Sequence, residues 1–206
     1  MQDRSDRING QAAEDARLVE EVLSGQSAGF DALVRRYQRR AYAVAYRLLS
    51  NREDAADVAQ DALLKAYQSL DQLADRSRFG SWLMRIVSNL ALNYRRSRAA
   101  SAMSGLDDTV EASIDPRGAD GRLLTTSGTP AADRREQELK KAMAAAIADL
   151  SEPQRQSLVM SSMAGIPQKE VADMLECSVE MVKWNVFQAR KALKQTLAQY
   201  LESEQD

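Results

Sequence analysis

Three groups of side chains in this sequence have types and spacings that could do chemistry. The first is acidic, with Glu53, Asp54, Asp57 and Asp61 in nine residues and no base among them. At about 100° per residue, Asp57, Gln60, Asp61 and Leu64 fall on one face of a helix. Carboxylates so spaced could begin a cation site, but nothing completes a ligand shell around Asp54, Asp57 and Asp61. A leucine framed by carboxylates and an amide instead suits docking into a basic groove of another protein. The plain alternative is a solvated charged face.

The second group is basic. Arg76, Arg78, Arg85, Arg95, Arg96 and Arg98 occur with no acid between them, interleaved with Trp82, Asn89, Asn93 and Tyr94. Guanidinium groups bind phosphates, and rings and amides stack on or pocket unpaired bases. Arginines lying along a solvated helix are the alternative. The third group lies near the C-terminus, where Lys183, Arg190, Lys191 and Lys194 are opposed only by Glu180. There Met181, Trp184, Phe187 and Gln188 project away from the apolar stripe of Val179, Val182, Val186, Ala189 and Leu193. In a DNA major groove, Asn185 or Gln188 could pair with an adenine edge and the large apolar groups could touch thymine methyls. Packing against the preceding domain or a protein partner would use the same groups differently.

Composition removes whole classes of function. The chain has no His and a single Cys, Cys177, so zinc ligand sets and Ser-His or Cys-His nucleophile pairs cannot be assembled. No Gly-rich phosphate loop is present. The expectation is a protein that is not an enzyme and needs no cofactor or metal. The lone thiol fits a reducing cytoplasm, and neither a signal-peptide core nor an apolar run of membrane-spanning length occurs. The net charge of −2 makes the chain a poor nucleic-acid binder as a whole. Any grip on DNA must come from local patches or from a partner.

The elements that must position these groups are all helices. Period-two alternation is absent, and Ala, Leu, Arg, Glu and Gln dominate. Helices are expected over 15–24, from Ser27 as cap to about Ser50, from Asn51 to Leu70, and from Phe79 to about Arg98, with Tyr94 on the buried side of the last. Residues 99–132 hold Gly, Pro and acids and read as a flexible linker between domains at 1–98 and 133–206. The second domain opens with a helix over 133–150. Ser151-Glu-Pro-Gln154 reads as a capping box for a helix ending at Gly165, and Pro167 starts a short one. Ser178 caps a last helix reaching about Tyr200. The final two, joined by a tight turn near Cys177, form a helix-turn-helix.

Taken in order, Glu53-Asp-Ala-Ala-Asp-Val-Ala-Gln-Asp61 followed by Ala66-Tyr67, Phe79-Gly-Ser-Trp-Leu-Met-Arg-Ile-Val-Ser-Asn89, Leu150-Ser-Glu-Pro-Gln-Arg155, Lys169-Glu-Val-Ala172, Val182-Lys183 and Ala189-Arg-Lys-Ala-Leu193 resemble the sigma factors of the sigma-70 family, extracytoplasmic-function group, sigma-E-like. The resemblance implies that Asp57, Gln60, Asp61 and Leu64 dock on the clamp helices of core RNA polymerase. It also implies that Arg76, Arg78, Trp82, Arg85, Asn89, Asn93 and Arg96 open and hold the minus-ten element. Ser178, Met181, Lys183, Trp184, Asn185, Phe187, Gln188, Arg190 and Lys191 would then read the minus-thirty-five element, and an anti-sigma protein would control the whole. The chain departs from the family at Trp184 and Asn185, where Ser and Arg are usual, at Gln188, where Arg is frequent, and at Glu176, often Gly. A stand-alone helix-turn-helix regulator and a metal-dependent hydrolase are the readings from other classes.

Overall fold

The computed structural model describes residues 2–103 and 130–198. The described residues are helical, in the order α1 (Gln2–Leu23), α2 (Ala28–Leu49), α3 (Arg52–Gln68), α4 (Phe79–Met103), α5 (Pro130–Ala148), α6 (Glu152–Leu158), α7 (Gln168–Leu175) and α8 (Val179–Thr196). Short 3-10 turns at Leu70–Gln72 and Arg76–Arg78 join α3 to α4. The expected linker spans 99–132, but α4 continues to Met103 and α5 starts at Pro130. The rest of it, 104–129, lies outside the described residues, and α8 ends at Thr196 with Leu197 as its cap, short of the expected Tyr200.

The first four helices pack because each carries an apolar stripe at helical spacing. Leu33, Tyr37, Ala41, Val44, Ala45 and Leu48 of α2 are buried against Ala55, Val58, Ala59, Ala62 and Ala66 of α3 and Phe79, Leu83 and Val87 of α4. Full burial of side chains such as Phe79, Leu33 and Leu48 contributes roughly 1.5–3 kcal/mol each. The small residues of α3 let it approach α2 closely. Gly29 serves the same end between α1 and α2, where an added Cβ would stand 2.7 Å from the Leu18 carbonyl oxygen.

Helix ends follow local chemistry, with corrections. Asn51 caps α3 by accepting from the Glu53 and Asp54 amides at 2.9 and 3.2 Å. Ser27 does not cap α2, because its own backbone is helical (φ −59°, ψ −25°) and its side chain makes no capping bond. Ser151 likewise offers no side-chain bond to α6, although Pro153 occupies the first turn as expected. That helix does not run unbroken to Gly165, since Val159–Met163 form a π turn in which the Ala164 amide donates to the Val159 carbonyl at 2.8 Å. Helix α1 starts well before residue 15, and its polar half reaches inward: Gln11 donates to the Tyr37 hydroxyl at 3.3 Å, and Asp15, 2% exposed, accepts from Tyr37 and Arg36. Polar residues give no apolar stripe, so the sequence pattern shows only the second half of this helix.

In the second block, α7 and α8 meet through Val171 and Ala172 on one side and Val182, Val186 and Ala189 on the other. Glu176 turns the chain in the left-handed region (φ 54°), and Ser178 then accepts from the Met181 amide at 3.1 Å to start α8. The two blocks are joined: one continuous apolar cluster contains residues of both. Around it, Arg40 donates to the Met163 and Ala164 carbonyls at 2.9 and 3.3 Å, and Arg85, Arg95 and Arg96 pair with Glu170, Glu152 and Glu176.

Candidate protein and nucleic-acid interfaces

On α3, Asp57, Gln60, Asp61 and Leu64 are all exposed on one face, Leu64 by 55%. The structure adds Tyr67, 47% exposed, its ring edge-on to Phe30 at 4.8 Å. Tyr67 lies one turn beyond Leu64, so the same periodicity could have found it. Asp54 belongs elsewhere. It accepts from the Tyr94 hydroxyl at 2.6 Å and from Arg98 at 2.9 Å, tying α3 to α4. That bond is the main cause of a raised Tyr94 pKa. Tyr94 is 37% exposed, not buried as its spacing predicts, because its hydroxyl reaches outward to this carboxylate. Among the described residues, no cluster of three or more His, Cys, Asp or Glu is arranged to hold a metal.

On α4, Trp82, Arg85, Asn89, Asn93 and Arg96 fall within one arc of about 80°. Asn89 and Asn93 are exposed, and Trp82 is half-buried with its ring 6.1 Å from Phe79. Arg85 stands 3.3 Å from Glu170, and Arg96 stands 2.9 Å from Glu176 while also donating to the Met174 carbonyl at 3.3 Å. Two cations of this face thus meet the helix-turn-helix. Arg78 lies outward beside Asp75. Arg76 donates its guanidinium to the Leu73 and Ala74 carbonyls at 3.1 Å each and sits 3.0 Å from Glu20, so it pins the loop before α4.

On α8 the outward arc carries Met181, Lys183, Trp184, Phe187, Arg190 and Lys191, all exposed. Met181, Trp184 and Phe187 are 49%, 54% and 64% exposed. Arg190 also donates to the Ser162 hydroxyl at 3.2 Å. Asn185 is 4% exposed, on the inward side of α8, so its amide does not face outward with them. The helix places position 185 about 40° from Met181 toward the apolar stripe, and packing against the neighbouring helices takes it. Gln188 is half-buried, and Ser178 spends its hydroxyl on the cap.

The family described as "Sigma-70 region 2" matches residues 33–101, and "Sigma-70, region 4" matches 140–193. The chain is 32% identical over 179 residues to the ECF RNA polymerase sigma-E factor of Escherichia coli (strain K12), covering 87% of this chain and 92% of that protein. It is 30% identical over 185 residues to the RNA polymerase sigma-H factor of Pseudomonas aeruginosa, covering 89% and 94%. Among solved structures, CnrH in complex with the cytosolic domain of CnrY aligns with TM-score 0.54 at 25% identity, over 90% of this chain and 97% of that one. The sigma factor RpoE in complex with the anti-sigma factor NepR from Bartonella quintana shares the fold at TM-score 0.56 and 24% identity, over 82% and 96%. The acidic α3 face, the basic α4 face and the helix-turn-helix therefore lie in a chain that belongs to the sigma-70 family, in its extracytoplasmic-function group.

Proposed function

We propose that this protein is a transcription initiation factor that brings core RNA polymerase to a restricted set of promoters and helps to open them. The observation that carries the reading is the disposition of three outward faces on one helical scaffold. Asp57, Gln60, Asp61 and Leu64 of α3 are exposed as an acidic face with an apolar centre, fit for a basic groove on the polymerase. Trp82, Arg85, Asn89, Asn93 and Arg96 of α4, with Arg78 beside them, combine cations, amides and a ring for a strand separated at the minus-ten element. Unpairing a base costs a few kcal/mol, which contacts of this kind offset. Met181, Lys183, Trp184, Phe187, Arg190 and Lys191 of α8 are set to enter the major groove of the minus-thirty-five element as duplex.

A net charge of −2 opposes tight promoter binding by the chain alone. The polymerase supplies the remaining attraction, and promoter specificity emerges in the holoenzyme. The domains acting in this scheme are 1–98 and 133–206, and the place of action is the cytoplasm, with the polymerase and its templates. Control by an anti-sigma protein fits the group to which the chain belongs. In the free chain Glu170 and Glu176 hold Arg85 and Arg96, so promoter phosphates and these acids compete for the same guanidinium groups. Transcription from a promoter library with core polymerase, with and without the chain, tests the reading. New transcripts with the wild type and their loss in Asp61→Arg, with the fold intact, are expected. Failure to direct any new transcript would refute it.

A further inference from the structure

We propose that Trp184, with Met181 beside it, makes the helix-turn-helix a reader of thymine methyl groups in the major groove. The inference rests on the reading of α8 as the duplex-reading helix. Asn185, one of the two amides able to pair with adenine, is buried, and Gln188, the other, is half-buried. What remains outward in the first turns of α8 is Met181 at 49% and Trp184 at 54% exposed, with Glu180 and Lys183 exposed beside them. Residues at the N-terminal end of a recognition helix are those that reach base edges. By helix geometry the two lie about 60° apart, close enough to press on one step of a groove.

Charge identifies the occupant. Lys183, Arg190 and Lys194 line one edge of this apolar arc and Lys191 interrupts it, with Glu180 the single acid on the face. An apolar strip with a cationic edge fits a surface whose rim is anionic and whose floor offers apolar groups. The major groove of duplex DNA has phosphate walls, and the thymine C5-methyl is the apolar group on its floor. The indole has one N–H donor and no acceptor, so most of the surface it presents to the groove can discriminate only through that methyl.

Holoenzyme formed from core polymerase and the full chain would first select promoters from a randomised duplex library. Each thymine of the selected upstream element is then replaced by deoxyuridine, which removes the methyl and keeps every hydrogen bond. The wild type is expected to bind about fourfold more weakly for each methyl lost at a contacted position, the effect of one buried methylene. In Trp184→Ala the difference between thymine and deoxyuridine duplexes should shrink to the share that Met181 supplies, while Trp184→Leu keeps more of it. Residue 184 is exposed, so these variants fold. A selected element without thymine, wild-type indifference to deoxyuridine, or an unchanged ratio in Trp184→Ala would each overturn the inference while leaving promoter selection intact. Loss of anti-sigma capture in Trp184→Ala with that ratio unchanged would overturn it in favour of a protein partner. Selection of no promoter at all would instead sink the functional reading on which it rests.

Discussion

A buried carboxylate organises the first helix, and nothing about its neighbours in the sequence announces it. Asp15 accepts from the Tyr37 hydroxyl and the Arg36 guanidinium, and Gly80 of α4 lies directly against the Tyr37 ring. A Cβ at position 80 would stand 2.7 to 2.8 Å from the phenol oxygen and two ring carbons. Because the hydroxyl is fixed by Asp15, the ring has nowhere to go. Gly80→Ala is therefore expected to destabilise the fold by about 1–3 kcal/mol, measured by thermal or urea unfolding. Burial first, then the bond to Asp15, pushes the Tyr37 pKa up to about 12. A raised folded-state pKa means the phenol contributes fully below its unfolded value near 10, and that contribution is lost as pH rises through about 12. The melting temperature should accordingly fall between about pH 10 and 12, and less steeply in Tyr37→Phe; equal slopes would refute the assignment. The outward residues Asp57, Asp61, Leu64 and Asn89 were legible from spacing alone, since helical periodicity separates the two faces. Arg76 and Asn185 were not, because a long side chain can turn back onto carbonyls and an amide near the edge of the apolar stripe can be taken into the core.

At the scale of elements, turn chemistry decides how well each interface helix is held. Asn51 satisfies two free amides at the start of α3, the helix that bears the acidic face. Asn51→Ala should cost about 1 kcal/mol of stability and fray that end, lowering amide-exchange protection in the first turn of α3 more than elsewhere. The turn of the helix-turn-helix behaves oppositely. Glu176 holds φ 54°, a conformation that costs a residue with a Cβ about 1–2 kcal/mol. Glu176→Gly relieves that strain, and the ion pair to Arg96 that it loses is largely exposed, so a higher melting temperature is expected. The helix-turn-helix was legible because its signals are local: Pro167 before α7, Ser178 capping α8, and apolar residues on facing sides. The π turn at Val159–Met163 had no such signal. It inserts a residue into a pattern that otherwise reads as a continuous helix, at a point where the chain lies against α2.

The molecule as a whole is set by contacts that no local pattern could show. Two blocks that read as separate domains share one apolar cluster and are tied by Arg40, Arg85, Arg95 and Arg96 from the first to carbonyls and carboxylates of the second. Partner residues at such separations in sequence are invisible to periodicity, and arginines that pair across the contact look identical to arginines waiting for phosphate. Exposed ion pairs are individually weak and screened by salt, so the polar part of the closure is the part most easily reversed. Replacing Glu170 and Glu176 by Arg turns two attractions into repulsions at positions 85 and 96 without touching the apolar contact. Small-angle scattering of Glu170→Arg/Glu176→Arg should give a larger radius of gyration than the wild type at low ionic strength. The difference should shrink as salt rises, because screening weakens the new repulsion as it weakened the old attraction. Equal radii at low salt would mean that the apolar cluster alone holds the blocks together, and that Arg85 and Arg96 are not restrained by the acids they face.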